Sequence, residues 1–277
     1  MAVWIQYIIP KRALTERLGR LAQARGGRWT TAAIRWFIRR YGVDMSEAAD
    51  PDPRAYDTFN AFFTRPLRLG ARPLGNSTWV SPVDGAISQL GRLENGKLVQ
   101  AKGHSYTAQA LLGGSADDAS PYLGGHFATL YLSPKDYHRI HMPCAGELKR
   151  MVYVPGDLFS VNPATAAAVA GLFARNERVV CEFETESGPM AMVLVGATIV
   201  GSVQTVWHGV VNPPRRPEIH RWEYAKGEVL LARGDEMGRF MLGSTVVMLW
   251  GPGALSFEAG WVPRAPIRMG QNMAHAG

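Results

Sequence analysis

The glycine–serine pair Gly243–Ser244 has the most specific chemical potential in the sequence. A serine hydroxyl can attack the carbonyl of a preceding glycine, because glycine lacks a hindering Cβ and permits unusual backbone angles. Such self-attack needs a general base for the hydroxyl proton and a carboxylate that orients the base. One serine, one histidine and one aspartate would suffice, although Gly-Ser-Thr before a strand is also typical of an ordinary turn.

Only two of the seven histidines, His138 and His141, lie close together in the sequence. A spacing of three residues could serve a metal ion, but no HExxH glutamate and no cysteine pair completes a ligand set. The spacing alone therefore favours a structural or surface pair, and we predict no metal site.

Two further polar residues lie in turn-like segments. Asp84 precedes a glycine in Ser-Pro-Val-Asp-Gly, for which a turn is the simplest interpretation. Ser160 lies in Gly-Asp-Leu-Phe-Ser-Val-Asn, and its hydroxyl could donate to a carboxylate or a phosphate. Taken alone, the second segment is typical of a loop.

The elements that must position these residues are mostly strands. After about residue 78, short apolar or alternating runs are bounded by turn residues, which predicts β-structure. The clearest strands are His126–Leu132, Glu147–Val154, Val246–Trp250 and the hairpin of Arg178–Glu184 with Met190–Val195. The best helical candidates there are Thr107–Leu112 and Pro163–Ala174. We predict an α+β fold that is mainly β, with N-terminal amphipathic helices.

The formal net charge of +7 is concentrated at one end of the chain. Residues 1–43 hold nine basic residues and one acidic residue, whereas the other 234 residues hold 21 basic and 22 acidic ones. Within 12–25 and 30–41, apolar residues recur at helical spacing with arginines between them. This pattern predicts helices that lie in an anionic membrane interface, with a helical hairpin docked on the body as the alternative. No nucleic-acid-binding motif accompanies the charge, so no nucleic-acid partner is expected.

The acidic, proline-bearing stretch Asp44–Pro53 interrupts the helical pattern. We therefore predict a basic helical membrane-associating segment with its linker at 1–53 and a β-rich domain at 54–277. Two cysteines are too few for a disulfide framework, and no apolar run reaches the roughly 18 residues of a membrane-spanning helix.

Taken together, these segments resemble the phosphatidylserine decarboxylases, the pyruvoyl-dependent enzymes that make phosphatidylethanolamine. The matching segments are spread over most of the β-rich domain. They are Phe59–Arg65, Ser81–Gly91, Lys102–His104, Tyr131–Gly146, Tyr153–Pro163, Leu172–Val180, Val195–Val203 and Met237–Thr245. Leu-Gly-Ser-Thr alone is weak evidence, but it is specific when Pro-Val-Asp-Gly and Tyr-His-Arg-Ile-His precede it in that order.

The resemblance implies a catalytic self-cleavage triad of Asp84, His141 and Ser244. Ser244 would attack the carbonyl of Gly243, with His141 as the general base and Asp84 as its orienting carboxylate. An ester would replace the peptide bond, and β-elimination followed by hydrolysis would leave a covalent pyruvoyl cofactor where Ser244 stood.

The products would be a β chain of residues 1–243 and an α chain of residues 244–277. The resemblance further implies that the pyruvoyl group forms a Schiff base with the serine amine of phosphatidylserine, which yields phosphatidylethanolamine and CO₂. His138 would be the acid/base in decarboxylation, and Ser160 would lie near the lipid headgroup.

A lipid substrate also has consequences for the location and the partners of the protein. The resemblance implies a peripheral protein on the cytoplasmic face of the inner membrane, with phosphatidylserine and the anionic surface as partners, and it suggests a homodimer. Two other functions fit parts of the sequence. A pyruvoyl decarboxylase for a soluble amino acid would leave the basic helices unexplained, and a non-catalytic lipid-binding protein would stay uncut.

Overall fold

The computed structural model describes residues 3–198, 202–241 and 245–277, which contain eight α-helices and eighteen β-strands. The helices are α1 (Ile5–Ile8), α2 (Lys11–Gln23), α3 (Arg28–Tyr41), α4 (Phe59–Phe63), α5 (Ala108–Leu112), α6 (Ala116–Ala119), α7 (Pro163–Ala166) and α8 (Leu172–Arg175). The first nine strands are β1 (Trp79–Val80), β2 (Gly85–Arg92), β3 (Lys97–Ala101), β4 (His104–Thr107), β5 (His126–Tyr131), β6 (Arg139–His141), β7 (Gly146–Val154), β8 (Arg178–Thr185) and β9 (Gly188–Val195). The others are β10 (Val203–Thr205), β11 (Gly209–Asn212), β12 (His220–Glu223), β13 (Leu230–Leu231), β14 (Glu236–Phe240), β15 (Thr245–Trp250), β16 (Leu255–Phe257), β17 (Pro266–Ile267) and β18 (Asn272–Ala276).

The strands form antiparallel sheets of very different size. The largest has nine strands in the order β12-β7-β8-β9-β15-β5-β2-β17, with β13 pairing beside β12 on β7. A four-stranded sheet runs β11-β10-β14-β6, a three-stranded one β1-β18-β16, and β3 pairs with β4. The predicted α+β class with a predominance of β-structure is confirmed.

Strand β15 is an inner strand of the large sheet and is buried along its whole length. Val247 and Leu249 belong to one hydrophobic core, whereas Val246, Met248 and Trp250 belong to the other. Alternate residues point to opposite faces of a strand, so a sheet covered on both faces needs a continuous apolar run. This explains the sequence Val-Val-Met-Leu-Trp.

The two cores lie on opposite faces of the large sheet. The first is covered by helices and includes Ile34 of α3 and Phe62 of α4. The second is shared with the smaller sheets and includes Trp79 of β1, Ile140 of β6 and Phe240 of β14. The four-stranded sheet thereby brings β6 and β14, which carry or precede candidate site residues, against the large sheet.

The N-terminal helices pack on the body through one apolar surface. Ala22 and Ile34 are buried in the helix-covered core. The ring of Phe37 lies 5.1, 5.9 and 6.0 Å from three phenylalanine rings of α4. The docked hairpin that the sequence left as an alternative is therefore present.

A second apolar surface on the same helices remains exposed. Trp4, Ile8, Leu21, Trp29 and Trp36 are each more than half exposed. Leu21 and its neighbour Ala22 thus have opposite environments. None of the described helices is long and apolar enough to span a membrane.

The predicted strands are present to within one or two residues at their ends, but the predicted helix Pro163–Ala174 is wrong as a single element. Its middle is interrupted before Gly171, whose φ of +64° is left-handed. The buried amide of Gln100 donates to the carbonyls of Ala166 and Val169 and accepts from the N–H of Leu172. A side chain from β3 therefore replaces the backbone bonds that would have continued the helix.

Candidate active site

The predicted cleavage bond follows strand β14. Gly243 and Ser244 lie outside the described residues, whereas the residues just before them are fixed by hydrogen bonds. The N–H of Phe240 donates to the carbonyl of His138 at 3.1 Å, and the N–H of Met241 donates to that of Ser202 at 3.0 Å. The chain that leads to the cleavage bond is thus bound to the backbone of one predicted catalytic histidine.

On the other side of the bond, β15 begins at once. Thr245 is its first residue and is paired with Tyr131 of β5 and Val195 of β9. The residue that follows the predicted bond is therefore held between two neighbouring strands of the large sheet.

His138 is fully buried, and its ring centroid lies 4.1 Å from that of Phe63. Its Nδ1 is 2.8 Å from the carbonyl oxygen of Asp136, and a carbonyl can only accept, so Nδ1 carries the proton. Nε2 is therefore the basic atom, and it has no hydrogen-bond partner among the described residues. Burial lowers the pKa of His138 to about 3, which keeps the imidazole neutral at neutral pH.

His141, at the end of β6, is bonded through both ring nitrogens. Nδ1 donates to the carbonyl of Gly234 at 2.8 Å, so Nε2 holds the lone pair and accepts from the hydroxyl of Tyr137 at 3.0 Å. Burial lowers the pKa of His141 from its usual value. The ring is thus in the neutral form that a general base requires, with Tyr137 occupying the basic atom.

Asp84 forms a buried ion pair with Arg72. Nε of Arg72 donates to Oδ1 at 2.9 Å and Nη2 to Oδ2 at 2.5 Å, while the N–H of Met269 donates to Oδ1 at 2.8 Å. The group that orients Nδ1 of His141 in this structure is Gly234, so the orienting role of Asp84 stays a prediction. The two segments are nevertheless adjacent, because the N–H of His141 donates to the carbonyl of Pro82.

Ser160 lies in a loop that one buried asparagine fixes in place. Asn176 accepts from the N–H of Phe159 at 3.1 Å and donates to the carbonyls of Phe159 and Gly196 at 2.8 Å each. Gly196 directly follows β9, so this amide ties the Ser160 loop to the sheet beside β15. The Ser160 hydroxyl accepts from Asn162 at 2.9 Å, which leaves its own proton available to a ligand.

A cavity of about 570 Å³ separates α2 from the body close to the predicted cleavage bond. Its lining includes Met241 and Ser202 of the body and Arg20 of α2. Arg215 also lines it, with a side chain that is 6% exposed and forms an ion pair with Glu177 at 3.1 Å. The cavity therefore extends from α2 to the end of β14, and the buried ion pair of Arg215 lies at its wall.

Three buried polar atoms around the cleavage bond lack hydrogen-bond partners within the described ranges. They are Nε2 of His138, Oδ1 of Asn60 and Oγ1 of Thr245. An unpaired buried polar atom is costly, and active sites are where such atoms await a ligand. Within the same ranges, no group of three or more His, Cys, Asp or Glu side chains could hold a metal ion.

Sequence reasoning missed the residues that position the predicted ones. Arg72, Tyr137, Gly234 and Asn176 contact Asp84, His141 and the Ser160 loop as described above. Tyr137 could have been noticed, because it directly precedes the two histidines in Asp-Tyr-His-Arg-Ile-His. Gly234 is 93 residues from His141 in sequence, and no local pattern indicates that pairing.

Comparison with known proteins agrees over nearly the whole chain. A family model described as phosphatidylserine decarboxylase matches residues 59–275, and a second one, described as PSD, matches residues 1–42. The phosphatidylserine decarboxylase proenzyme of Delftia acidovorans is 64% identical over 275 residues, covering 99% of this chain and 97% of that protein. The proenzyme of an Azoarcus species is 64% identical, with coverages of 99% and 95%. The predicted resemblance is confirmed: this chain belongs to the phosphatidylserine decarboxylase family.

Proposed function

We propose that the chain is a proenzyme that cuts itself between Gly243 and Ser244 and then converts phosphatidylserine to phosphatidylethanolamine and CO₂. The observation that carries this proposal is the similarity to phosphatidylserine decarboxylase proenzymes at 64% identity over 99% of the chain. The surroundings of His138 and His141 support it, because each ring is buried and neutral with its lone pair on Nε2.

The chain's own residues supply the self-cleavage. The Ser244 hydroxyl attacks the carbonyl carbon of Gly243 while Nε2 of His141 takes its proton, and the C–N bond breaks to leave an ester. The proton taken by His141 passes to the freed nitrogen of residue 244. Elimination then removes the Cα proton of residue 244, breaks the Cβ–O bond, releases the Gly243 carboxylate and leaves a dehydroalanine. Its imine tautomer takes up water and loses ammonia, which yields the pyruvoyl group. Tyr137 must leave Nε2 of His141, or relay the proton to it, before the attack.

The described residues fit such a group and a bound substrate. The pyruvoyl carbonyl supplies an electron sink for the pair that is left when CO₂ departs. Thr245 would hold the group covalently. Oγ1 of Thr245 and Oδ1 of Asn60 are buried polar atoms that have no hydrogen-bond partner among the described residues. His138 is suited to take a substrate proton at Nε2 and to return it to the carbon that loses CO₂.

The cavity between α2 and the body is the proposed entry for the lipid headgroup. Met241 lines this cavity and lies two residues before Gly243. The Ser160 hydroxyl, on the loop tied to the sheet beside β15, would bind the serine carboxylate or the phosphate.

The exposed surface of the N-terminal helices is the proposed membrane contact. Large apolar side chains alternate there with arginines, which is the composition of a helix in an anionic interface. A peripheral position on the cytoplasmic face of the inner membrane, a division at residue 53 and a homodimer complete the proposal.

Intact-mass analysis of the purified wild-type chain tests the self-cleavage. We expect two fragments, residues 1–243 and a blocked fragment that begins with the group derived from Ser244. A matched sample denatured immediately after synthesis serves as the uncut control. A single full-length mass in material that decarboxylates phosphatidylserine would contradict the proposal, as would turnover of free serine at the same rate.

Flotation with liposomes tests the membrane surface. The double variant Trp29→Gln, Trp36→Gln should bind vesicles containing phosphatidylserine at least about tenfold more weakly, because two large apolar side chains no longer enter the interface. Binding of the wild type should also weaken at high salt.

The matched control is Leu69→Gln with Val262→Gln. These two exposed apolar residues lie outside the N-terminal helices, so flotation should be unchanged. Equal loss of binding in both double variants would show that general surface hydrophobicity, and not the helices, attaches the protein to lipid.

A further inference from the structure

Arg72 is buried between two carboxylates that come from different parts of the chain. Its Nη2 lies 2.7 Å from Oε2 of Glu47 and 2.5 Å from Oδ2 of Asp84. Nε donates to the other oxygen of Asp84 at 2.9 Å, and Nη1 donates to the carbonyl of Ala71 at 2.8 Å. All three guanidinium nitrogens are thus engaged, and the side chain is only 6% exposed.

This arrangement fixes the plane of the Asp84 carboxylate. A two-point contact between arginine and a carboxylate has a specific geometry that a lysine cannot reproduce. Asp84 also accepts from the N–H of Met269. Nδ1 of His141 is bonded to Gly234 and both Asp84 oxygens are bonded to Arg72, so the predicted orienting contact is not formed in this arrangement.

Glu47 is the group that can take over the released guanidinium. It already shares Nη2 of Arg72 with Asp84, and its second oxygen accepts from Arg268 at 2.8 Å. The hydrogen bond from Arg72 lowers the pKa of Glu47, so that this carboxyl is ionised at neutral pH. Two anions therefore compete for one buried cation.

We propose that Arg72 is a positioning residue for self-cleavage, and that transfer of its guanidinium from Asp84 to Glu47 releases Asp84 to orient His141. The inference rests on the proposed self-cleavage and adds residues that neither the sequence motifs nor the predicted triad include. Glu47 lies in the predicted linker that follows α3. The packing of the N-terminal helices on the body would thereby influence which group the Asp84 carboxylate binds.

The charged and titratable groups around Asp84 are consistent with such an exchange. They are Arg72, Glu47, Arg65, Lys135, Asp136, Tyr137, His141 and Arg268. Many of them line a cavity of about 550 Å³ that Asp84 shares with Tyr137. The carboxylate therefore has open volume on one side in which to change partners.

The test follows self-cleavage of full-length chains made by cell-free translation, with samples denatured at intervals and separated by electrophoresis. Arg72→Met should cleave at least about tenfold faster than the wild type, because the charged hydrogen bonds that Asp84 must give up are already absent. Arg72→Lys should fall between the two, and added methylguanidinium should slow Arg72→Met toward the wild-type rate. A role limited to folding would slow cleavage and would not respond to a small cation.

The chain offers a matched control in Arg150. This arginine is also held by two carboxylates, with contacts of 2.9 and 3.1 Å to Glu182 and 2.6 Å to Asp118, but it lies in β7 away from the predicted triad. Arg150→Met should lower thermal stability by an amount similar to Arg72→Met and should cleave at the wild-type rate.

The outcomes separate this inference from the proposed function. A wild type that stays uncut overturns both. A wild type that cuts, together with Arg72→Met cutting no faster than the wild type, overturns the exchange alone. If Arg72→Met does not fold, Glu47→Gln tests the exchange instead, because this variant removes only one charge at a half-buried site. Cleavage about tenfold slower supports the exchange, since an amide is a weaker partner for the guanidinium, and an unchanged rate overturns it.

Discussion

Ser244→Ala should accumulate as one uncut chain of 277 residues without decarboxylase activity. Alanine has no hydroxyl to attack the Gly243 carbonyl and no β-oxygen to eliminate, so neither the chain break nor the cofactor can form. Activity should fall to the background level, a loss of at least about 10⁶-fold. Intact mass and CO₂ release from carboxyl-labelled phosphatidylserine measure the two consequences on one sample.

Ser256→Ala is the matched control for this variant. Ser256 also lies in the C-terminal segment, but its side chain is exposed in β16, and the variant should be cut and active like the wild type. A Ser244→Ala protein that still splits, or that turns over phosphatidylserine while intact, would refute the origin of the cofactor and with it the proposed mechanism.

His138→Ala should separate the two reactions. The variant should cut itself, because its ring is not the proposed base for Ser244, but it should decarboxylate about 10²- to 10⁴-fold more slowly. The buried Nε2 of His138 is the basic atom that would handle the substrate proton. Electrophoresis reports the first reaction, and kcat on vesicles of phosphatidylserine reports the second.

The pH profile gives an independent test of the same residue. Because burial lowers the pKa of His138 to about 3, its neutral form persists as the pH falls through 6.5, where an exposed histidine would become charged. The part of kcat that is lost in His138→Ala should therefore be constant from about pH 8 to pH 5 in the wild type.

Two further histidine variants complete the comparison. His208→Ala removes an exposed ring that packs on Trp222 and should leave both reactions intact. His141→Ala should remain uncut. If instead His141→Ala cuts and His138→Ala does not, the roles that the resemblance assigned to the two histidines are exchanged.

The sequence predicted those parts of the fold whose information is local. Strand β15 is a continuous apolar run because both of its faces are covered, and the β8–β9 hairpin is marked by its turn residues. The helix predicted over Pro163–Ala174 was wrong because Gln100, which lies 66 residues before Ala166, binds the backbone where the helix would have continued.

The candidate site, too, was predictable only where its information is local in the sequence. The residue types and order of its motifs predict Asp84, His138 and His141 as site residues. Arg72, Met269 and Gly234, which bind Asp84 and His141, come from elsewhere in the chain. Arg72 lies in a segment interrupted by prolines and glycines, so no pattern shows that it holds Asp84. The carbonyl of Gly234 orients His141 through its backbone, and any residue type could supply that atom.

Because β15 lies between β5 and β9, the proposed cut would be a late and irreversible step that follows folding. A nucleophile at the start of this strand can meet His141 only after the strand has been inserted, so that cutting marks a chain whose assembly is complete. After the proposed cut, the small fragment would stay noncovalently bound through the hydrogen bonds of β15 to β5 and β9. Once heat separates the fragment, refolding would require two separate molecules to associate. The mature enzyme would therefore refold less readily than the uncut chain.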